Sequence, residues 1–504
     1  MADEYDPMAI GSPSWWLHRL CGKLARDQAR MVLMDRYYTG DHPLPFVPRK
    51  LKSEFRAMLK RSQSNFMRIV VDAPAERLRL QGFRARGEEL ADEDTWAWWL
   101  DNHMNVDWNI AITDAIKMAR SYVSVWRYEG RDDVTVQVED PRGTFVEYDQ
   151  MERHKRAAGL RVWNDDWTNL IRADVWLPDA CYQFVGEKDT FSASKLWPPA
   201  WTPGDLIDDD EVRFLNTVSR EDPAPDLSQW CRQWEELGIV KNPWNEIPLV
   251  PLVNRASTTG RDGESEIDDV YRTQDRINAG LFNRDLGAWT TAYRQKWATG
   301  LEIPEDPETG KPVEPFDAAV DRLWASEDPA TRFGSFESTN PEQFIAPIEQ
   351  DIKHIAVQTR TPRHYLVESG QTPSGDSIKS AESGLVAKVE DKQPYLGASA
   401  SEIVRLRNVM LGRKDAPPVE AIWSDPEFRT LAELTDATIK QHADGLIPRR
   451  VAQEKLQFSP SEIDRMDALF AQEGLVADAQ SALDDATAPP EEQVAEELQV
   501  PVGA

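Results

Sequence analysis

Apolar residues recur at helical spacing from Leu17 to Tyr38, and the run stops at Gly40, which suits the left-handed residue that closes a helix. Leu51 to Leu59 continues the pattern as a second helix. "NFMRIVVDAPAERLRLQG" (Asn65 to Gly82) reads as a helix interrupted near Pro74, because proline cannot donate its backbone N–H. Trp96 to Trp99 and Ile110 to Met118 are helical again. From Ser121 the period falls to two, with Val134, Val136 and Val138 on one face. "SYVSVWRYEG", "DDVTVQVEDP", "GLRVWNDD", "NLIRADVWLP" and "CYQFVGE" follow at hairpin-like spacing, which predicts an antiparallel meander. Trp197 to Asp210 is rich in Pro and Asp and predicts a loop; "EIPLVPLVNR" (Glu246 to Arg255) is a last extended piece.

After the break "TTGRDGESE", helical periodicity returns. Apolar positions from Ile267 to Trp297 predict a helix of about thirty residues, or about 45 Å. Gly300 to Asn340 is loop-rich, with four prolines (Pro304, Pro307, Pro312, Pro315) near its start. Phe344, Ile345, Ile348, Ile352 and Ile355 form one stripe of the next helix. It should end at Thr361-Pro362, since a residue before proline avoids the helical region. A non-helical stretch then runs to Ser374. Another helix starts near Asp376, bends at Pro394 and resumes through Ile403 to Leu411. Short helices follow Asp425. No Lys or Arg occurs after Arg465, and the acidic end from about Asp484 reads as disordered.

The 504 residues, 40% of them hydrophobic, can build several cores. No apolar run reaches membrane-spanning length, and the acidic start MADEYDPMAI lacks the features of a secretory signal, so no membrane association is expected. Cys21, Cys181 and Cys231 are scattered, as are the seven His, and offer no zinc spacing. The net charge of -29 disfavours a tight grip on phosphate backbones. The 19 Trp fit large cores or extensive contact between subunits.

Candidate chemistry is thin. "GQTPSGDS" (Gly370 to Ser377) falls one residue short of a phosphate-binding loop, because Asp376 stands where that loop needs Lys. No buried strand precedes it, and Gly370 and Gly375 with Ser374 or Asp376 fit a loop-to-helix junction better. Asp41-His42 reads as a turn after a helix. Asp208-Asp209-Asp210 and Asp268-Asp269 read as a solvated loop and a helix first turn rather than as metal ligands. No catalytic residue, metal or cofactor is assigned; the chain reads as a non-enzyme of α+β class.

Four stretches together carry a family resemblance: "RYYTGDHPLP", "NFMRIVVDAPAERLRLQGFR", "DVYRTQDRINAGLFNRDL" and "TRTPRHYLVESGQTPSGDSIKSAE". With the order long helix, insert, helix, loop, helix, the chain from about Tyr37 to Arg413 resembles portal proteins of tailed bacteriophages, particularly siphophages of actinobacteria. The resemblance implies a fold with a mixed α/β wing (1–262, returning through 376–427 with the long kinked helix), stem helices (264–299 and 341–358), a small clip (300–340), a tunnel loop (359–375) and a helical crown (428–504). It further implies a virion component, made in the host cytoplasm, that forms a homo-oligomer of twelve subunits at one capsid vertex. Double-stranded DNA would pass through it without sequence specificity, and terminase, scaffold, major capsid protein and a head-completion adaptor would be its partners. Arg360, Arg363, His364, Gly370, Gln371 and Gly375 become candidates for the channel constriction, with Arg360 and Arg363 either touching phosphates or pairing with a neighbouring subunit. Phe316, Leu323, Trp324 and Phe333 become the candidate core of the clip. A packaging nuclease or NTPase, or another head-tail connector ring, is the alternative.

Overall fold

The computed structural model describes residues 9–45, 49–88, 91–187, 234–258, 262–292, 296–300, 330–335, 340, 342–367, 375–427, 431–456, 458 and 462–473. Helix α1 (Pro13–Thr39) starts where the Ser12 side chain accepts the Trp15 N–H at 3.2 Å and ends at Gly40, whose φ of 85° is left-handed. Its first half lays Leu17, Leu20 and Leu24 on a sheet; its second half puts Leu33, Met34 and Tyr37 into a different, larger core. One helix thus joins both cores.

Helices α2 (Arg49–Arg61) and α3 (Met67–Ala75) follow, with Pro74 inside the last turn of α3. The helix expected to reach Gly82 does not. Residues Leu80–Ala85 form strand β1, which pairs antiparallel with β12 (Val419–Trp423) and buries Phe83 completely. That partner lies more than 300 residues away, so local periodicity could not reveal it. Helices α4 (Glu93–Asp101) and α5 (Met104–Met118) bring Trp98, Trp99 and Trp108 edge to face in the large core.

Two antiparallel sheets follow. Strands β2 (Arg120–Trp126), β3 (Thr135–Glu139) and β9 (Leu249–Val253) form one, in the order β3-β2-β9. The other is a five-stranded meander of β4 (Thr144–Tyr148), β5 (Arg156–Asp165), β6 (Leu170–Trp176), β7 (Ala180–Glu187) and β8 (Glu235–Lys241). The sequence pattern did not single out β4. The loop expected at 197–210 lies outside the described residues.

Helix α6 (Tyr271–Ala292) is shorter than its periodicity suggests. Trp297 sits instead on β10 (Lys296–Thr299), which pairs with β11 (Arg332–Ser335) in the register Trp297↔Gly334. A Cβ on Gly334 would lie 2.4 Å from the indole, so the ring covers the glycine. Helix α7 (Glu342–Thr359) runs antiparallel to α6: Arg276 meets Asp351 at 2.7 Å, Gly280 faces Ile348 and Gly287 faces Phe344. A one-turn helix α8 (Arg363–Leu366) interrupts the stretch expected to be a loop. Helix α9 (Gly375–Met410) is continuous for 36 residues, about 54 Å, with Pro394 inside it. Its buried stripe of Leu385, Val389, Leu396, Ala400, Ile403 and Val404 supplies contacts that outweigh the one donor proline removes. Helices α10 (Leu431–Ala443) and α11 (Arg449–Lys455) and a helical segment at 462–473 complete the described chain.

Candidate functional site

The region of interest is the turn from α7 to α9, with the anchors beneath it. Helix α7 closes on its own side chains. Thr359 Oγ1 donates to the Ile355 carbonyl at 2.7 Å, and the Thr359 and Thr361 hydroxyls are 2.8 Å apart. Arg360 then takes a left-handed φ of 54°, and the Thr361 N–H returns to the Ala356 carbonyl at 3.0 Å. A left-handed residue normally costs a non-glycine about 1 kcal/mol or more. The last helical residue, Thr359, therefore stands three positions before the proline, with an arginine in the left-handed position that follows it.

Beneath this turn lies a buried charge cluster. Glu266 precedes α6, is 5% exposed, and receives Lys388 Nζ on one oxygen at 2.7 Å and Lys392 Nζ on the other at 2.6 Å. Lys388 also donates to the Thr359 carbonyl at 2.9 Å, and Lys392 to Asn254 Oδ1. Burial alone would raise the Glu266 pKa, but the two ammonium groups overcome it and hold the carboxyl at about 2. Burial lowers the Lys388 pKa despite the pairing. The start of α6, the end of α7 and the middle of α9 thus meet at one carboxylate.

A second anchor holds α8. Arg77 Nη2 donates to the Tyr365 hydroxyl at 2.8 Å and lies 3.1 Å from Glu382; Tyr365 in turn donates to Glu382 at 3.2 Å. His364 Nε2 lies 3.5 Å from the same carboxylate. Leu366 is buried, so the turn has an apolar footing the sequence reading did not credit.

The three basic candidates therefore separate. His364 faces inward to Glu382. Arg363 is exposed. The Arg360 side chain is 58% exposed and only reaches Asp391 at 3.9 Å. Gly375 is the first residue of α9 and Asp376 the second. Gly370 and Gln371 lie outside the described residues, as do Phe316, Leu323 and Trp324. Phe333 is on β11, opposite Ala298, and 39% exposed.

The remaining chemical candidates fold into structural roles. Asp41 pairs with Arg36 at 2.6 Å. His42 is buried between the Tyr37 carbonyl and Asn278, and burial lowers its pKa. Asp268 accepts the Ser265 N–H at 3.0 Å and pairs with Arg30 at 2.7 Å, while Asp269 pairs with Arg255 at 2.8 Å. Among the described residues no cluster of His, Cys, Asp or Glu is arranged to hold a metal ion, and no helix is long and apolar enough to cross a membrane. Asp208-Asp209-Asp210 lies outside them.

Sequence reasoning missed Glu266, Lys388 and Lys392. The available signal was Lys388 and Lys392 on the stripe of Leu385, Val389 and Leu396, since a lysine on an apolar stripe needs a buried partner.

The family model described as "Phage portal protein, SPP1 Gp6-like" matches residues 17–472. The portal protein of Mycobacterium phage D29 is 28% identical over 420 residues, which cover 80% of this chain and 77% of that protein. The portal protein of Mycobacterium phage L5 matches with the same identity and coverage. Since the family match takes in α1, both sheets, the α6–α7 pair and the buried anchors beneath the turn, the chain belongs to the SPP1 Gp6-like phage portal proteins.

Proposed function

We propose that copies of this chain, twelve in number, form a ring at one vertex of the capsid through which double-stranded DNA enters and leaves. The wing comprises 1–262 with the return through 376–427, the stem 264–299 and 341–358, the clip 300–340 and the crown 428–504. The observation that carries the reading, beyond family membership, is the apolar exposure on α7 among the described residues. Helices α6 and α7 pack on each other, yet on α7 Ile345 is 43% and Val357 78% exposed. Apolar side chains left exposed on α7 among the described residues, in a chain of net charge -29, fit a ring in which a neighbouring copy supplies cover.

In this reading the 359–375 connection faces the channel. Arg360 and Arg363 offer exposed positive charge to passing phosphates, while His364, Tyr365 and Glu382 fix the base of the turn. An otherwise acidic duct lets DNA slide rather than bind. The role is structural: terminase supplies the work, and scaffold, major capsid protein and a head-completion adaptor bind the ring outside the duct. Electron microscopy of the purified chain tests the assembly, with closed rings expected and a concentration-independent monomer refuting it. Replacing Arg360 and Arg363 together by Glu should leave rings intact but reduce packaged DNA; unchanged packaging would remove these residues from the duct.

A further inference from the structure

Helix α2 runs against the charge of the rest of the chain. Its residues, RKLKSEFRAMLKR, include six basic ones (Arg49, Lys50, Lys52, Arg56, Lys60, Arg61) and one acidic, Glu54. In the whole protein Asp and Glu outnumber Lys and Arg by 87 to 58. Helical spacing puts positions 49, 52, 56 and 60 in one row, about 16 Å long at about 1.5 Å per residue. Arg56 and Lys60 on this row, and Arg61 beside it, are exposed. None of these three has an ion pair or hydrogen bond among the described residues, whereas Arg284 on the neighbouring α6 is bonded to Asp285.

The other face of α2 is already occupied. Phe55 meets Trp289 of α6 edge to face at 5.7 Å, and Leu59 is completely buried. Ser62, just past the helix, places its hydroxyl 2.7 Å from a carboxylate oxygen of Asp285 on α6. With its apolar side held against α6, the helix has no face left to enter a lipid surface. The outward side offers Arg56, Ala57, Lys60 and Arg61, with no large apolar residue to centre a protein interface, where lysine is depleted. A row of unpaired cations without an apolar centre suits a polyanion whose charges repeat along a line. One strand of duplex DNA carries a phosphate about every 3.4 Å along the axis, so about five lie along a row of this length.

We propose that α2 is a sequence-independent contact for the DNA backbone, distinct from the turn at 359–375. The two lie toward opposite ends of α6. The Glu266 anchor beneath the turn precedes Tyr271, whereas Trp289, against which α2 is seated, is about 27 Å further along the helix. Contacts to phosphate position a duplex without reading its bases, and they exchange with counterions, so the duplex can still slide. The inference rests on the DNA passage proposed above but not on the ring, since one copy carries the whole row.

The test measures binding of the full, unassembled chain to a short DNA duplex as salt rises from about 50 to 200 mM. Arg56→Gln combined with Lys60→Gln should leave thermal unfolding unchanged, because neither residue belongs to the contacts with α6. The same variant should lower the slope of log affinity against log salt by about 2, and weaken binding to AT-rich and GC-rich duplexes equally. Polyglutamate of matched charge should compete more weakly than unlabelled duplex. Replacing Arg360 and Arg363 by Glu should leave the slope difference in place. A wild type that does not bind the duplex at the lowest salt, or a double variant that keeps the wild-type slope, overturns the contact, whatever rings the chain forms. Polyglutamate that competes as well as duplex assigns the row to an acidic protein and equally overturns the proposal. A persistent slope difference in a chain that forms no rings by electron microscopy would instead sink the assembly proposed above and leave the α2 contact standing.

Discussion

Replacing Glu266 by Gln tests whether the buried cluster holds the two long excursions of the chain together. The substitution keeps the shape and removes the one negative charge between Lys388 and Lys392, whose side chains are each 9% exposed. Two ammonium groups would then share a buried site. Breaking a buried ion pair from one side costs about 3–5 kcal/mol. Lys388→Met should cost less, about 1–3 kcal/mol, because Glu266 keeps Lys392 and the principal loss is the donor to the Thr359 carbonyl. The double variant should be more stable than the sum of the two implies, since Lys388→Met relieves the repulsion that Glu266→Gln creates. Urea unfolding of the unassembled chain measures all three. The pH dependence adds a check of sign. The folded Glu266 pKa, about 2, lies below the ordinary carboxylate value, so its stabilisation is complete above the unfolded pKa of about 4.3 and is lost as pH falls toward 2. The gap between wild type and Glu266→Gln should close over that window. A Glu266→Gln cost smaller than that of Lys388→Met, strictly additive variants, or a gap that widens on acidification would refute the reasoning.

Three further outcomes follow from other sites. Burial raises the Asp275 pKa to about 6 even though Tyr37 donates to both its oxygens, so the folded state gains stability as pH falls from 6 to 4; Asp275→Asn should be more stable than wild type by about 1–3 kcal/mol at pH 7.5 and equal to it near pH 4, read from thermal melts across pH. Gly263→Ala should destabilise by about 2 kcal/mol or more, because φ is +79° and the new Cβ would stand 2.4 Å from the Asn254 carbonyl and 2.6 Å from that of Ala119; a neutral urea midpoint would contradict this. Arg360→Gly should raise stability by about 1 kcal/mol by relieving the left-handed arginine, yet reduce DNA retention in assembled particles if that charge serves the duct.

The elements that sequence disclosed are those whose partners are local or whose faces are simple. Helix α1 announced itself through its period and Gly40, and α7 through five apolar positions on one stripe. The alternation of β2 and β5–β7 was equally plain. What stayed hidden depended on distant chain. Strand β1 is a strand only because Val419–Trp423 pairs with it, and Trp297 leaves the helical pattern because Gly334 lies opposite. Around Pro394, the packing of Leu396 and Ala400 keeps α9 helical from Gly375 to Met410. At the candidate site, Arg360 and Arg363 could be named from the proline that follows them or precedes them and from their charge. The Glu266 anchor could not, since Lys392 lies 126 residues from its carboxylate partner.

The β10–β11 pairing bears on how this protein can diverge. Lys296–Thr299 and Arg332–Ser335 bring the two feet of the intervening chain side by side, sealed by Trp297 over Gly334. The pairing holds Thr299 and Arg332, between which that chain runs, opposite each other. Insertions, deletions or wholesale exchange there need not alter the spacing of the two helices. A lineage could therefore exchange the chain between the two strands by recombination while inheriting the rest of the subunit unchanged. Sequence divergence among relatives should accordingly concentrate between the two strands and fall away sharply at Trp297 and Gly334.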